Sequence, residues 1–216
     1  MDKVELDLQR ALKRPEAYWY EDGLAEIALG LWGVVLALAF LVEGIGRAPI
    51  ESFTALFPIV WAPGGYVLGR RAVLATKARW VYPRTGEVRY RLPSMKEHFW
   101  WLVLAEAAAV GAMLAALWAS RHYGVAGPRL ALANGLALAA LVLVLARDSG
   151  WQRRFVVLAA LSVLFGTLGT TLGPNEDLAA AILYGALSLA FVASGAMALR
   201  GYAGRAPATP TERNER

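Results

Sequence analysis

The sequence predicts an all-α, polytopic membrane helix bundle of about six transmembrane helices, with a short cytoplasmic β-hairpin between spans 2 and 3. Three observations lead there. The 216 residues are 57% hydrophobic with a mean hydropathy of +0.43, which is apolar for a soluble domain of that size. The apolar residues are gathered into runs of roughly 17–22, the length a helix needs to cross the hydrocarbon core. The basic residues collect in alternate segments between those runs, as they do in a chain threaded back and forth through a membrane.

Residues 1–23 read as a cytoplasmic N-terminal segment. Val4, Leu8, Ala11 and Leu12 share one face of an amphipathic helix over 2–14 that Pro15 ends. An interfacial helix is the favoured reading, and a docking helix for a soluble partner is the alternative. Tyr18, Trp19 and Tyr20 follow at headgroup depth. The mixed charges of this segment and the length of the next apolar run predict that span 1 is retained, not cleaved as a signal. Residues 24–199 form the membrane domain, with spans at 24–42, 53–68, 99–118, 130–146, 155–172 and 178–199. Residues 200–216, rich in Gly, Ala, Pro, Thr and charge, are expected to be a disordered cytoplasmic tail.

Orientation follows from lysine and arginine, which are retained on the cytoplasmic side. Of the 22 such residues, only Arg47, Arg121 and Arg129 fall outside the N-terminus, loops 2–3 and 4–5, and the tail. That distribution requires an even number of spans with both termini in the cytoplasm, and points to the cell (inner) membrane. The net charge of +5 is therefore read as topological, and nucleic acid is not favoured as a partner.

Loop 2–3 is the largest extramembrane piece. Trp80 and Tyr82, then Val88, Tyr90 and Leu92, alternate with polar or small neighbours, and Pro83-Arg84-Thr85-Gly86 supplies turn chemistry. The reading is a hairpin with an aromatic face and a basic face carrying Arg84, Arg89 and Arg91. It would lie on anionic headgroups, at about 1 kcal/mol per basic residue; a docking surface for an acidic partner or nucleic acid is the alternative.

Tyr20-Glu21-Asp22-Gly23-Leu24-x-Glu26 at the first span and Tyr82-Pro83-Arg84-x-Gly86 in the loop after the second resemble a family of small bacterial multi-pass membrane proteins of uncharacterised function. The resemblance covers the first half of the chain and implies the architecture without an activity. This chain carries Glu87 where the family's pattern has an aromatic, which makes the hairpin tip more polar.

Ionisable groups inside a bilayer are costly. Glu106 lies about two turns into span 3 and Glu26 about one turn into span 1, while Arg70 and Arg71 close span 2 on the same side. These four are the candidate intramembrane polar cluster, either as a structural ion pair of Glu106 with Arg70 or Arg71, or as a proton or cation relay. Glu26, near the entrance, reads as interfacial. Pro58, Pro63, Gly64 and Gly65 interrupt the short second span. A structural kink is favoured there, with a transporter binding site as the alternative. Gly65-x-x-x-Gly69, Gly169-x-x-x-Gly173 and the Ala107, Gly111, Ala115 series offer close helix packing or a homodimer face. Thr167, Thr170 and Thr171 are expected to bond their own helix backbone.

Catalysis finds little support. With no cysteine, thiol nucleophiles, zinc–thiolate sites and iron–sulfur clusters are excluded, and His98 and His122 stand at opposite ends of span 3. No catalytic constellation, metal site or cofactor is predicted. The favoured function is a non-enzymatic membrane component whose basic cytoplasmic face binds anionic lipid or a partner protein. The alternative is a small proton- or cation-linked transporter or channel using Glu106 and the broken second span. Glu106→Gln discriminates between its two roles. As a pair member it loses thermal stability in detergent, as do Arg70→Ala or Arg71→Ala, and one double variant loses less than the sum. As a relay it keeps its stability and loses pH-dependent flux.

Overall fold

The computed structural model describes residues 20–46, 62–81, 122, 129–148 and 152–205. Every described element is helical. Helix α1 spans Leu24–Gly44, α2 spans Ala62–Thr76 and runs on into a π-helical turn, Lys77–Val81. Helix α3 spans Arg129–Asp148, α4 spans Arg153–Leu172 and α5 spans Glu176–Arg205. Three of these, α1, α4 and α5, are long and apolar enough to cross a membrane, and α3 holds a shorter apolar stretch at Leu130–Ala146.

The helices pack antiparallel, and small residues set the approach. A Cβ on Gly195 of α5 would meet the Gly23 carbonyl oxygen at 2.5 Å, and one on Gly30 would meet the Ser188 oxygen at 2.7 Å. At the far end of the same pair, Asn175 donates its side-chain amide to the Gly44 carbonyl at 3.0 Å. Its side-chain oxygen accepts from the Leu178 N–H at 2.8 Å. Between these ends the Phe40 and Tyr184 rings stack at 5.4 Å. Gly135 of α3 and Gly166 of α4 face one another, and Gly169 of α4 and Gly173 just after it both seat Ala179 of α5. Helix α2 runs back along α1, with Gly65 under the Trp32 indole and Val73 against Leu24.

The interior is built of small and modestly sized groups. Ala139, Val142, Ala146, Phe155, Leu158, Ala159, Leu187 and Phe191 form one cluster, with Ser162, Ser188 and Ser194 also buried. Large apolar side chains point outward, among them Leu31, Leu38, Leu136, Val157, Leu172, Leu189 and Met197. Ser162 bonds the Leu158 carbonyl at 2.9 Å, and Thr167, Thr170 and Thr171 likewise bond back to Val163, Gly166 and Leu168. Each hydroxyl is thus satisfied within its own helix, as expected.

Two expectations need correction. The hairpin's first strand is helical over Lys77–Val81, and Trp80 stands exposed on that turn; 82–92, with Tyr82, Pro83, Arg84, Gly86, Arg89 and Arg91, lies outside the described residues. Val73 and Lys77 share a helical face at i, i+4. The packing that sets Val73 on Leu24 therefore carries Lys77 to Asp22, and this contact overrides the alternating pattern. The tail expected to be disordered from residue 200 is helical through Arg205, because Leu199 and Tyr202 pack on the Leu24–Val73 contact; the N-terminal segment through Trp19 and the tail beyond Arg205 lie outside the described residues.

Glycines with and without room behave differently. A Cβ on Gly135 would sit 2.6 Å from the Ser162 carbonyl oxygen, whereas one on Gly185 would meet Ala37 at an ordinary 3.6 Å. Gly135→Ala should therefore lower the unfolding temperature in detergent, at a cost of about 1–3 kcal/mol. Gly185→Ala should raise it, by about 0.5–1 kcal/mol of helix propensity. Equal melting of the two variants would contradict the close α3–α4 approach.

Candidate functional site

Five helix termini meet at one end of the bundle: the starts of α1 and α4 and the ends of α2, α3 and α5. The segment Tyr20 to Glu26 lies among them. Gly23 precedes α1 with φ +74°, a left-handed conformation that glycine adopts at little cost. A Cβ there would also strike the Gly195 carbonyl and Ala198. The Asp22 side chain reaches around this turn, and its Oδ1 accepts from the Leu24 N–H at 3.1 Å. One unpaired donor at the helix start is thereby satisfied.

The second oxygen of Asp22 meets Lys77 Nζ at 2.9 Å, with both side chains almost fully buried. One turn further along α1, Glu26 is only 2% exposed. Its Oε2 accepts from the Ser194 hydroxyl of α5 at 2.7 Å, and its Oε1 lies 3.1 Å from Nε of Arg154 in α4. That last contact is an ion pair without hydrogen-bond alignment. The same guanidinium donates through Nη2 to the Tyr20 carbonyl and lies 5.3 Å from the Phe155 ring centre. Tyr20 meets that ring edge-on at 5.6 Å. Two buried carboxylates and two cations thus link α1, α2, α4 and α5.

Arg154 also forms part of the wall of a polar cleft of about 410 Å³ at this end. Glu21, Gln152, Arg153, Met197, Ala198, Gly201 and Tyr202 complete the lining. Glu21 and Arg153 are exposed to it, and Gln152 and Tyr202 are half-buried. Among the described residues no group of three or more His, Asp or Glu side chains could hold a metal ion.

The predicted site residues are only partly assembled here. Glu26 is in the cluster and is buried, where an interfacial position was expected. Arg70 is half-buried and Arg71 exposed on α2, and Glu26 is partnered by Arg154 and Ser194 instead. Pro63, Gly64 and Gly65 fall within described α2. Glu106 and Pro58 lie outside the described residues. Sequence reasoning missed the roles of Asp22, Lys77, Arg154 and Ser194. Asp22 lay within the first motif, but Lys77 was absorbed by the hairpin pattern and Arg154 by the topology count.

No family model, curated protein or solved structure matches the chain.

A buried ion pair that loses one member leaves an uncompensated charge, at about 3–5 kcal/mol. Lys77→Met and Asp22→Asn should each lower the unfolding temperature in detergent. The combined Asp22→Asn/Lys77→Met variant should lose clearly less than the sum. Additive losses would mean that the pair contributes no coupling energy.

Proposed function

We propose that the chain is a multi-pass, non-enzymatic component of the cell membrane, with both termini cytoplasmic and a basic face held against anionic headgroups. The observation that carries this reading is the pairing of an apolar exterior with one basic end. Leu31, Leu38, Leu136, Val157 and Leu189 face outward along the helices, where a soluble protein would rarely leave so much apolar surface uncovered. Arg79, Arg153 and Arg200 are exposed at the helix ends that meet on the motif side.

The antiparallel order supports the even-span arrangement. In the six-span reading α1, α3, α4 and α5 would be spans 1, 4, 5 and 6, and α2 would take the place of span 2, shifted toward the C-terminus. In that reading the segments on the motif side would hold all but three of the lysines and arginines. Tyr20 and Tyr202, half-buried at the same end, suit the headgroup level. Glu26 is engaged by both a cation and a hydroxyl, which favours a fixed packing role over a proton carrier for this acid.

Reporter fusions after Lys96, after Gly150 and at Arg216 should all report the cytoplasm, and one near Ala126 the outside. A single reversed reporter contradicts the six-span arrangement. The purified chain should incorporate more readily into vesicles containing phosphatidylglycerol than into phosphatidylcholine alone, and the preference should shrink with added salt. A preference independent of salt would remove the electrostatic part of the proposal.

A further inference from the structure

We propose that the cleft between the start of α4 and the end of α5 is a stoichiometric site for one phospholipid headgroup, a phosphodiester carrying hydroxyls beyond the phosphate. This rests on the membrane reading above and goes beyond it: a diffuse basic surface attracts many lipids, whereas a built cleft selects one.

The first observation is chemical. Arg153 and Arg154 line one wall, and guanidinium groups match phosphate geometry with parallel donors. Arg154 is held on one side by the Tyr20 carbonyl and Glu26 and sits beside the Phe155 ring. Little side-chain entropy remains to be lost when an anion arrives. Arg153 is exposed and supplies the charge that Glu26 does not neutralise. Gln152 precedes α4 without capping it through its side chain, so its amide is available to the cleft. Glu21 is part of the same lining. Its carboxylate would repel a bare phosphate, but it accepts hydrogen bonds from headgroup hydroxyls. A polyol phosphodiester satisfies both walls.

The second observation is positional. A volume of about 410 Å³ lies within the usual range of small-ligand sites. On α4, Val157, Ala160 and Leu164 are exposed along the face that begins at Arg153, with i, i+4, i+7 and i+11 spacing. On α5, Leu189, Ala193 and Met197 are exposed. Apolar flanks thus descend from a basic cleft, as a lipid with its headgroup in the cleft and its chains along the helices requires. A free phosphate metabolite would make no use of them.

The test is native mass spectrometry of the full chain released from detergent and titrated with short-chain phosphatidylglycerol, phosphatidylcholine or inorganic phosphate. The wild type should retain one phosphatidylglycerol saturably and bind phosphatidylcholine about tenfold more weakly. Arg153→Gln removes the free cation and Gly201→Leu fills the exposed lining without changing charge; each should weaken phosphatidylglycerol about tenfold. Phosphatidylglycerol should also protect wild-type Arg153 from an arginine-modifying reagent, a readout that does not depend on either variant folding. Unchanged binding in both variants, equal retention of phosphatidylcholine, absence of protection, or displacement by inorganic phosphate at equal concentration would each overturn the assignment. An Arg84→Gln/Arg89→Gln/Arg91→Gln variant separates the two proposals. It should lose general preference for anionic vesicles while keeping the single bound lipid. A wild type that prefers anionic vesicles but retains no lipid sinks the cleft alone.

Discussion

A carboxylate taken out of water must meet a counter-charge at contact distance, and the described helices are arranged around that demand at Asp22 and Glu26. Each acid finds its cation on a different helix, Lys77 at the end of α2 and Arg154 at the start of α4. Ser194 of α5 closes the set. The desolvation of such charges can exceed their mutual attraction, so the cluster is not best understood as a source of net stability. Its stronger effect is on register. Sliding α1, α2 or α4 by one turn would strand a buried charge, so those helices have one low-energy register at this end.

That demand can be met only because the helices come unusually close. Gly23, Gly30 and Gly195 let α1 and α5 touch backbone to backbone, and Gly135 and Gly166 do the same for α3 and α4. Where the exterior solvent is apolar, burying leucine gains little, and packing of small residues with satisfied hydroxyls takes over as the adhesive. The distribution follows: Ser162, Ser188 and Ser194 inside, and Leu31, Leu136 and Leu189 outside. The Gly23 contact couples this packing to the charge cluster. Its left-handed turn lets Asp22 cap α1 and still reach Lys77, while its missing Cβ admits α5 and with it Ser194.

The π-helical turn at Lys77–Val81 and the helical run to Arg205 belong to the same economy. Both segments have sequences that read locally as something else: alternation in one, glycine and alanine in the other. Both are held by contacts with the segment around Leu24, through Lys77 and Val73 in one case and through Tyr202 and Leu199 in the other. Tertiary contact outweighs local preference at Lys77 because a stranded charge costs several kcal/mol, and at Arg205 because apolar packing of Leu199 and Tyr202 adds to it, whereas local preferences differ by about 1 kcal/mol per residue or less.

Read alone, the sequence determined the helical class and the apolar stretches of α1, α3, α4 and α5, whereas its second span, 53–68, overlaps α2 only at 62–68. It did so because hydrophobic run length and the placement of lysine and arginine are properties of consecutive residues. It also placed Glu26 in a candidate polar cluster, though as interfacial, whereas the structure buries it. Which cation each acid meets was decided by the tertiary structure. Glu26 lies 168 residues from Ser194, and it pairs with Arg154 although Arg70 and Arg71 are nearer in sequence. Those pairings depend on helix rotation and on sub-ångström differences in approach at Gly23 and Gly195. Neither quantity is recorded in the order of residues, since both emerge only when the faces of four helices are fitted together.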